Sequence, residues 1–532
     1  MKVNYKSLIA GALIAPFVMT SCIEETEPTN SVTQDQLGAS STAIEAAIGG
    51  IPSYMKKYHV WTSEAWDFGY PAQMLIRDFL TQDAFQPYNG YQHFWQGQQI
   101  SLGLDAGYGF CQVTWYYYNL QVKAANDVVA AINPEGASDY MLNGLAQALA
   151  YRASTYLDMA RYYEFLPNAT TSGLVSEGHD VTNLTVPITD PTNPDIVADN
   201  NPRATRQQMF EFILNDLDNA AAYMQKAGIA RSNKTLPDLG VVYGLKARLY
   251  MWVEDYPKAA EFARMAINAS GATPLTRDEW FDPVNGFNTL STPAWMWGLQ
   301  MVKEDAAIGY SCWTSFVASE AQIGYAGRYH LWFTIDKSLY ESIPDNDWRK
   351  LSWVAPADSP LSGQEVYSHP ELFKGEIDPY ASLKFRTGNA DLSDFNVVMA
   401  TAIPLMRVEE MYLIEAEATA HTNPTAGKQL LETFMKTYRY ADYRCNATDT
   451  EGVVDQCFLQ KRIELWGEGQ TFFDVKRLNK SVTRDYPGTN WPDLCRFNTV
   501  GRPDWMNLPI CEYEGDFNAG FRGYNNPDIG RQ

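Results

Sequence analysis

The chain has 532 residues, 45% of them hydrophobic and 20% charged, an ordinary globular composition that excludes wholesale disorder. Acidic residues outnumber basic ones, 63 to 41, for a formal charge of −22, a poor balance for gripping nucleic-acid backbone. Aromatic residues reach 13%, with 15 Trp and 32 Tyr, more amphipathic rings than core packing demands and suited to surfaces that bind something flat and partly polar.

Lys2 and Lys6 precede a mostly apolar run, Leu8 to Val18. The run is too short to span a bilayer and ends in small residues before a cysteine, the build of a secretory signal over residues 1–21. Met19-Thr20-Ser21-Cys22 resembles a bacterial lipobox, with Met19 in place of the commoner Leu. That resemblance implies cleavage before Cys22 and lipidation of the cysteine. Residues 22–40 read as a solvated tether, since Glu24, Glu25, Glu27 and Pro28 among polar residues cannot bury enough surface to fold. The acidic run is similar to the signal that sends lipoproteins of Bacteroidota to the cell surface. No other stretch is long and apolar enough for a transmembrane helix, so residues 41–532 are expected to fold as a body anchored by lipid. Six further cysteines can oxidise in an exported chain. The close spacings 445/457 and 495/511 suggest local bridges among 15 connectivities, and no C-x-x-C supports a zinc ribbon.

Along the chain, apolar residues at three- and four-residue steps predict a helix over 111–132, with Val113, Tyr116, Tyr117, Leu120, Ala124, Val128 and Ile132 on one face. Asn133-Pro134 stops it. Ser138 then caps a second helix running to about Phe165. Residues 168–202 are rich in Thr, Asn, Asp, Gly and Pro and read as a loop. A helix follows over 204–227. Next comes a helix pair: Leu245, Leu249, Trp252 and Val253 line one member, Asp255-Tyr256-Pro257 turns, and Ala259 to Ile267 line the return. Such a pair resembles a tetratricopeptide unit. The pattern recurs as a helix over Leu405 to Ala420, a turn at Asn423-Pro424 and a return through Leu430 to Tyr438. A further helix is read through about 453–467. The fold class is therefore mainly α, a tetratricopeptide-like scaffold of about four helix-pair units. Repeat helices occupy about 111–270 and 403–478. An irregular subdomain of loops, short helices and small hairpins is drawn from about 271–400 plus 51–105 and 481–532, because structureless loops that long are rare.

Catalytic signatures are sparse. The six histidines form no H-E-x-x-H, and there is no Walker A sequence, no G-x-S-x-G and no G-x-G-x-x-G. A glycosidase needs two carboxylates across a cleft. Glu464 and Glu468, with Asp474 nearby, are the best candidates, but one helix face favours structural ion pairs with Arg462, Lys476 and Arg477. Glu409, Glu410, Glu415 and Glu417 read likewise as helix-face charges and partners of Arg407. Two aromatic clusters are the better lead. One is Phe85, Tyr88, Tyr91, Phe94 and Trp95 with interleaved amides; the other is Tyr310, Trp313, Tyr325, Tyr329 and Trp332 with Gln322, Arg328 and His330. Sugar rings have apolar faces and a rim of hydroxyls, so exposed rings flanked by amides, carboxylates and Arg suit them.

Two C-terminal blocks carry a family resemblance. Ile403-Pro-Leu-Met-Arg-Val-Glu-Glu-Met-Tyr-Leu-Ile-Glu-Ala-Glu-Ala418 resembles the hallmark helix of the SusD/RagB family. Lys461-Arg-Ile-Glu-Leu-Trp-Gly-Glu-Gly-Gln-Thr-Phe-Phe-Asp-Val-Lys-Arg-Leu478 is similar to its C-terminal block, with Gln470 where an Arg is usual. Residues 150–163 and 244–250 fit its internal helices. The resemblance covers nearly the whole mature chain. It implies a non-enzymatic, α-helical lipoprotein of the outer-membrane surface, a lid on a SusC-like TonB-dependent β-barrel transporter, to which it delivers oligosaccharides or sometimes peptides. It also implies binding regions at Arg77 to Trp95 and Tyr310 to Trp332, by region and not by motif. The expected mechanism is capture with no bond cleaved. Tyr88, Tyr91 and Trp95 stack on sugar faces, Arg77, Asp83 and Asn89 fix hydroxyls, and Trp313, Tyr325 and Tyr329 form the opposite wall. Affinity should be micromolar to millimolar, about −4 to −8 kcal/mol. No cofactor is expected. An EF-hand loop is absent, which leaves any structural Ca²⁺ to distant loops. The competing readings are an α/α-barrel polysaccharide hydrolase or lyase, a peptide-binding relative, and a repeat scaffold without small ligand.

Overall fold

Side-chain caps set the ends of the long helices. Ser138 Oγ accepts a hydrogen bond from the Met141 amide and opens a helix over Asp139–Tyr163. Thr205 and Gln208 form a reciprocal capping box at Arg206–Ala227, and Gly228, with φ 63°, ends that helix in the left-handed region. Asp238 caps Leu239–Trp252, Asp255 caps Tyr256–Ser270, and Asn423 caps Pro424–Tyr438.

The computed structural model describes residues 41–59, 66–90, 94–100, 104–107, 109–171, 178–305 and 312–527. The proposed signal, Cys22 and the tether lie outside the described residues. The long helices are α1 (Ser41–Tyr54), α2 (Tyr70–Phe79), α3 (Gly109–Ala131), α4 (Asp139–Tyr163), α5 (Arg206–Ala227), α6 (Leu239–Trp252), α7 (Tyr256–Ser270), α8 (Val408–Thr422), α9 (Pro424–Tyr438), α10 (Thr450–Glu464) and α11 (Thr471–Arg477). From α3 to α7 each helix packs on the next, α1 lies against α3 and α4, and α7 packs on α8, which carries α9 and α10. Stacked antiparallel helix pairs thus form the scaffold. A Cβ at Gly427 would sit 2.5 Å from the Ala420 nitrogen, so glycine lets α9 lie close on α8. Leu413, Leu431, Phe434 and Met435 fill the small core between α8, α9 and α10, each worth about 1.5–3 kcal/mol of burial.

Three readings of the sequence need correction. Residues Ala402–Arg407 are a strand, β4, and not the first turn of α8; β4 pairs antiparallel with β2 (Trp295–Gln300), Leu299 opposite Ile403. Pro404 offers no N–H and disfavours helix at Ile403, and the whole strand is buried. The other pair, β1 (Ala84–Phe85) with β3 (Thr334–Ile335), also joins segments far apart in sequence. Tyr116 is 41% exposed, whereas Tyr117, Tyr118 and Gln121 are buried; three consecutive tyrosines leave the period unable to choose the face. All six described cysteines are buried free thiols. Cys495 lies with Phe85 and Trp491 while Cys511 belongs to the main core, so closeness in sequence did not make them neighbours.

Candidate functional site

The two aromatic clusters meet at the strand pair β1–β3. Ala84 lies opposite Ile335, and the Asp336 amide donates to the Asp83 carbonyl. Beyond β1 the loop is fixed by an amide exchange: the Gln86 amide donates to Gln98 Oε1, and Gln98 Nε2 returns a bond to the Gln86 carbonyl, each at 2.9 Å. Gln86 Nε2 then donates to the Tyr88 carbonyl. Gly90 lies so close to Leu331 that an added Cβ would meet Cδ1 at 2.1 Å. A third segment joins through the Thr334–Ala381 bridge and the bond from the Ile335 amide to the Tyr380 carbonyl. The result is one surface carrying Tyr88, Asn89, Tyr329, His330 and Asp378.

Tyr88 and Tyr329 are 52% and 55% exposed, unusual for rings of that size. The Tyr88 hydroxyl lies 3.4 Å from Asp378 Oδ2, at the outer limit of a hydrogen bond. Partial burial and then the Asp378 carboxylate hold the phenol above its ordinary range, so Tyr88 remains a neutral donor. His330 stacks on buried Trp332 with centroids 4.7 Å apart, and its Nδ1 lies 4.0 Å from Asp378 Oδ2. Two exposed rings, an amide, an imidazole and a carboxylate on one face can meet a partly polar, partly apolar ligand. Asp378 had no periodic or motif signal. Only the bridge beside β3 brings it here.

The other expected site residues fall differently. Arg77 is fully buried: Nη1 donates to Asp158 Oδ2 at 3.0 Å and to the Tyr118 hydroxyl, and Nη2 to the Tyr70 hydroxyl. Asp83 is buried and accepts from Nε and Nη2 of Arg462 at 2.9 and 2.5 Å. Trp313 is buried edge-on against Phe385, centroids 4.5 Å apart, and Trp95 is 9% exposed. These four correct the expectation of a wall of exposed side chains: Arg77 joins α2 to α4, Asp83 ties the start of β1 to α10, and both Trp rings are buried. Asn89 is exposed. Tyr91 and Tyr310 lie outside the described residues, as does the side chain of Tyr325.

Glu464, the last residue of α10, and Glu468 in the turn after it are structural counter-ions. Glu464 accepts from Arg349 Nη1 at 2.9 Å, Arg407 Nη1 at 3.2 Å and Arg439 Nη2 at 2.6 Å, while Glu468 pairs with Arg407 and Lys384. These are not the expected partners. Arg462 serves Asp83, and Lys476 donates to the Tyr162 carbonyl. Burial pushes the Glu464 carboxyl up, but Arg439, Arg407 and Arg349 overcome it and hold it well below its ordinary range. Among the acidic residues of α8, Glu409 meets Arg407 as read. Glu410 instead pairs with Arg248, Glu415 with Arg264, and Glu417 with Lys461 and Arg477. Among the described residues no three His, Cys, Asp or Glu gather as a metal site, and no helix is long and apolar enough to cross a membrane.

Comparison with known proteins bears on this geometry. The model of the SusD family matches residues 380–501, which contain both C-terminal blocks. A SusD-like carbohydrate binding protein from Bacteroides vulgatus ATCC 8482 superposes with a TM-score of 0.70 at 21% identity, over 92% of this chain and 99% of that one. A SusD superfamily protein from Bacteroides thetaiotaomicron VPI-5482 gives 0.67 at 17% identity, over 91% and 99%. Surface glycan-binding protein A from Bacteroides thetaiotaomicron gives 0.62 at 16% identity, over 90% and 98%. No curated protein matches the chain. The chain carries the SusD-family signature in its C-terminal part on the fold of SusD-superfamily proteins, as its two sequence blocks imply.

Proposed function

We propose that the protein captures oligosaccharides at the cell surface, cleaves no bond in them, and passes them to a SusC-like TonB-dependent β-barrel transporter in the outer membrane, to which Cys22 tethers it through lipid. The observation that most supports this reading is the likeness of fold, over 92% of the chain, to a SusD-like carbohydrate binding protein. The surface beside β1 and β3 suits the role. Tyr88 and Tyr329 offer faces for sugar C–H groups, and Asn89, His330 and Asp378 offer hydrogen bonds to hydroxyls. Tyr91 and Tyr325 belong to the same two stretches of sequence and are proposed as further sugar contacts. Affinity of about −4 to −8 kcal/mol lets the carrier release its cargo.

The test is calorimetry of residues 23–532 against plant, host and microbial glycans, with chromatography of each mixture afterwards. Saturable binding with the glycan recovered intact is the expected result. Shortened or unsaturated products would overturn the carrier reading, and binding confined to peptides would change the cargo while keeping the carrier.

A further inference from the structure

A second cavity lies between the C-terminal end of α4 and helices α6, α8 and α11, away from the aromatic surface. Its volume is about 50 Å³. A water occupies roughly 10–15 Å³ on that measure, so the space takes a few waters or one small ion and is too small for a sugar ring. Its wall is cationic in a chain of net charge −22: six Arg and Lys side chains face three carboxylates.

Pairing within that wall leaves two cations over, of which Arg161 is taken by Asp158 outside it at 2.5 Å, so that Lys476 alone remains. Glu410 is held by two bonds from Arg248, at 2.7 and 2.6 Å. Asp474 is held by Lys461 at 3.2 Å and Arg477 at 2.8 Å. Glu164 accepts from Trp252 Nε1 at 2.8 Å and pairs with Arg206 at 3.2 Å. Lys476 is 2% exposed, and its Nζ has no carboxylate within ion-pair distance among the described residues; it donates only to the Tyr162 carbonyl, at 2.9 Å. Behind it Arg502 and Arg203 are also buried, and their guanidinium groups donate to carbonyls and to Asn526, with no ion pair among the described residues. Uncompensated buried charge costs several kcal/mol per ion, and carbonyl dipoles offset only part of it. Burial accordingly pushes the Lys476 ammonium well below its ordinary range, with Glu164 acting in the opposite sense.

We propose that this cavity is a binding site for a small inorganic oxyanion, phosphate or sulfate, held by Lys476 at its floor and by Arg206 toward its more exposed side. A tetrahedral oxyanion supplies the missing negative charge and has acceptors enough for an ammonium and a guanidinium at once. Glu410 and Asp474 do not repel it strongly, because each already has its own cation, and Glu164 would share Arg206 with it. The ion would lock the end of α4 to α11, joining the N-terminal repeats to the C-terminal block.

The experiment is calorimetric titration of residues 23–532 with inorganic phosphate, and separately with sulfate, at constant ionic strength set by chloride. Saturable one-to-one binding is expected at millimolar concentration or below. Lys476→Met should weaken it by about tenfold or more, and Arg206→Lys by several-fold. Lys476→Met removes a charge that has no ion-pair partner, so the variant should fold; Arg206→Lys, which keeps a cation beside Glu164 and removes the fork, gives a second variant that tests the site if it does not. No saturable heat from either anion up to about 10 mM would overturn the proposal. So would equal binding by wild type and both variants, which would place the ion elsewhere. A sulfated monosaccharide that binds where inorganic sulfate does not would also overturn it, by moving the anion site to the glycan surface.

Discussion

The cluster around Glu464 and the surface around Tyr88 are built from the same kinds of residue, and they do opposite things. In the first, Arg349, Arg407, Arg439, Glu409 and Glu464 are all fully buried, and Trp280 lies within 5.6 Å of the Arg407 and Arg439 guanidinium carbons. Every charge there is spent on another charge of the same chain. In the second, Tyr88, Tyr329 and Asp378 face water, and the Tyr88 hydroxyl comes no nearer to Asp378 than 3.4 Å. The difference lies in what remains unsatisfied. A carboxylate already accepting from three guanidinium groups has nothing to offer a ligand, whereas an exposed ring with a loosely held hydroxyl has both an apolar face and a donor.

The comparison breaks most visibly at Glu464. Glu464→Gln strips a buried carboxylate from three guanidinium groups and should destabilise the fold by about 3–5 kcal/mol, read from denaturant unfolding. Any of the substituted protein that remains folded should bind glycan with unchanged affinity. A loss of binding with full stability would instead put Glu464 in a site and undo the distinction.

The reverse result is expected on the surface. Tyr88→Ala with Tyr329→Ala should leave unfolding stability within about 0.5 kcal/mol, because neither ring belongs to the core. Glycan affinity should fall by about tenfold or more, read by the calorimetry described above. Trp313→Phe sharpens the contrast. Trp313 is interior, so the change should cost about 1–2 kcal/mol of stability and leave affinity alone.

How far this contrast could be read from the sequence depended on what fixed each residue. Helices α3 to α10 were legible because local chemistry decides them: Ser138, Thr205, Asp255 and Asn423 cap where the apolar period begins. Strand β4 was not, since its partner β2 lies about a hundred residues earlier and nothing local announces the pairing. The loops of the candidate surface stood out by composition, yet composition cannot tell an outward ring from an inward one. Tyr88 and Trp95 sit in the same loop-rich stretch, and the Gln86–Gln98 amide exchange helps fix how it folds. Arg77 looked like a ligand-binding charge because its partner, Asp158, is 81 residues away.

The last expected effect concerns acid, and it again separates interior from surface. His59 packs against Tyr117 with centroids 5.5 Å apart, and burial lowers its pKa to about 4, from an ordinary value of 6.5. A histidine with a depressed folded pKa binds fewer protons in the native state than in the unfolded one. Its contribution to stability is therefore complete above about pH 6.5 and drains away as pH falls toward 4, at no more than about 1.4 kcal/mol per pH unit. Glu464 acts lower: its folded pKa is depressed too, so its contribution is present above about pH 4.5 and is lost only below it. Denaturant unfolding between pH 7 and 5 should thus show a shallow decline that His59→Gln removes, leaving the steeper loss below pH 4.5 in place. A decline unchanged by that substitution would assign the titration to another group and take His59 out of the interior set.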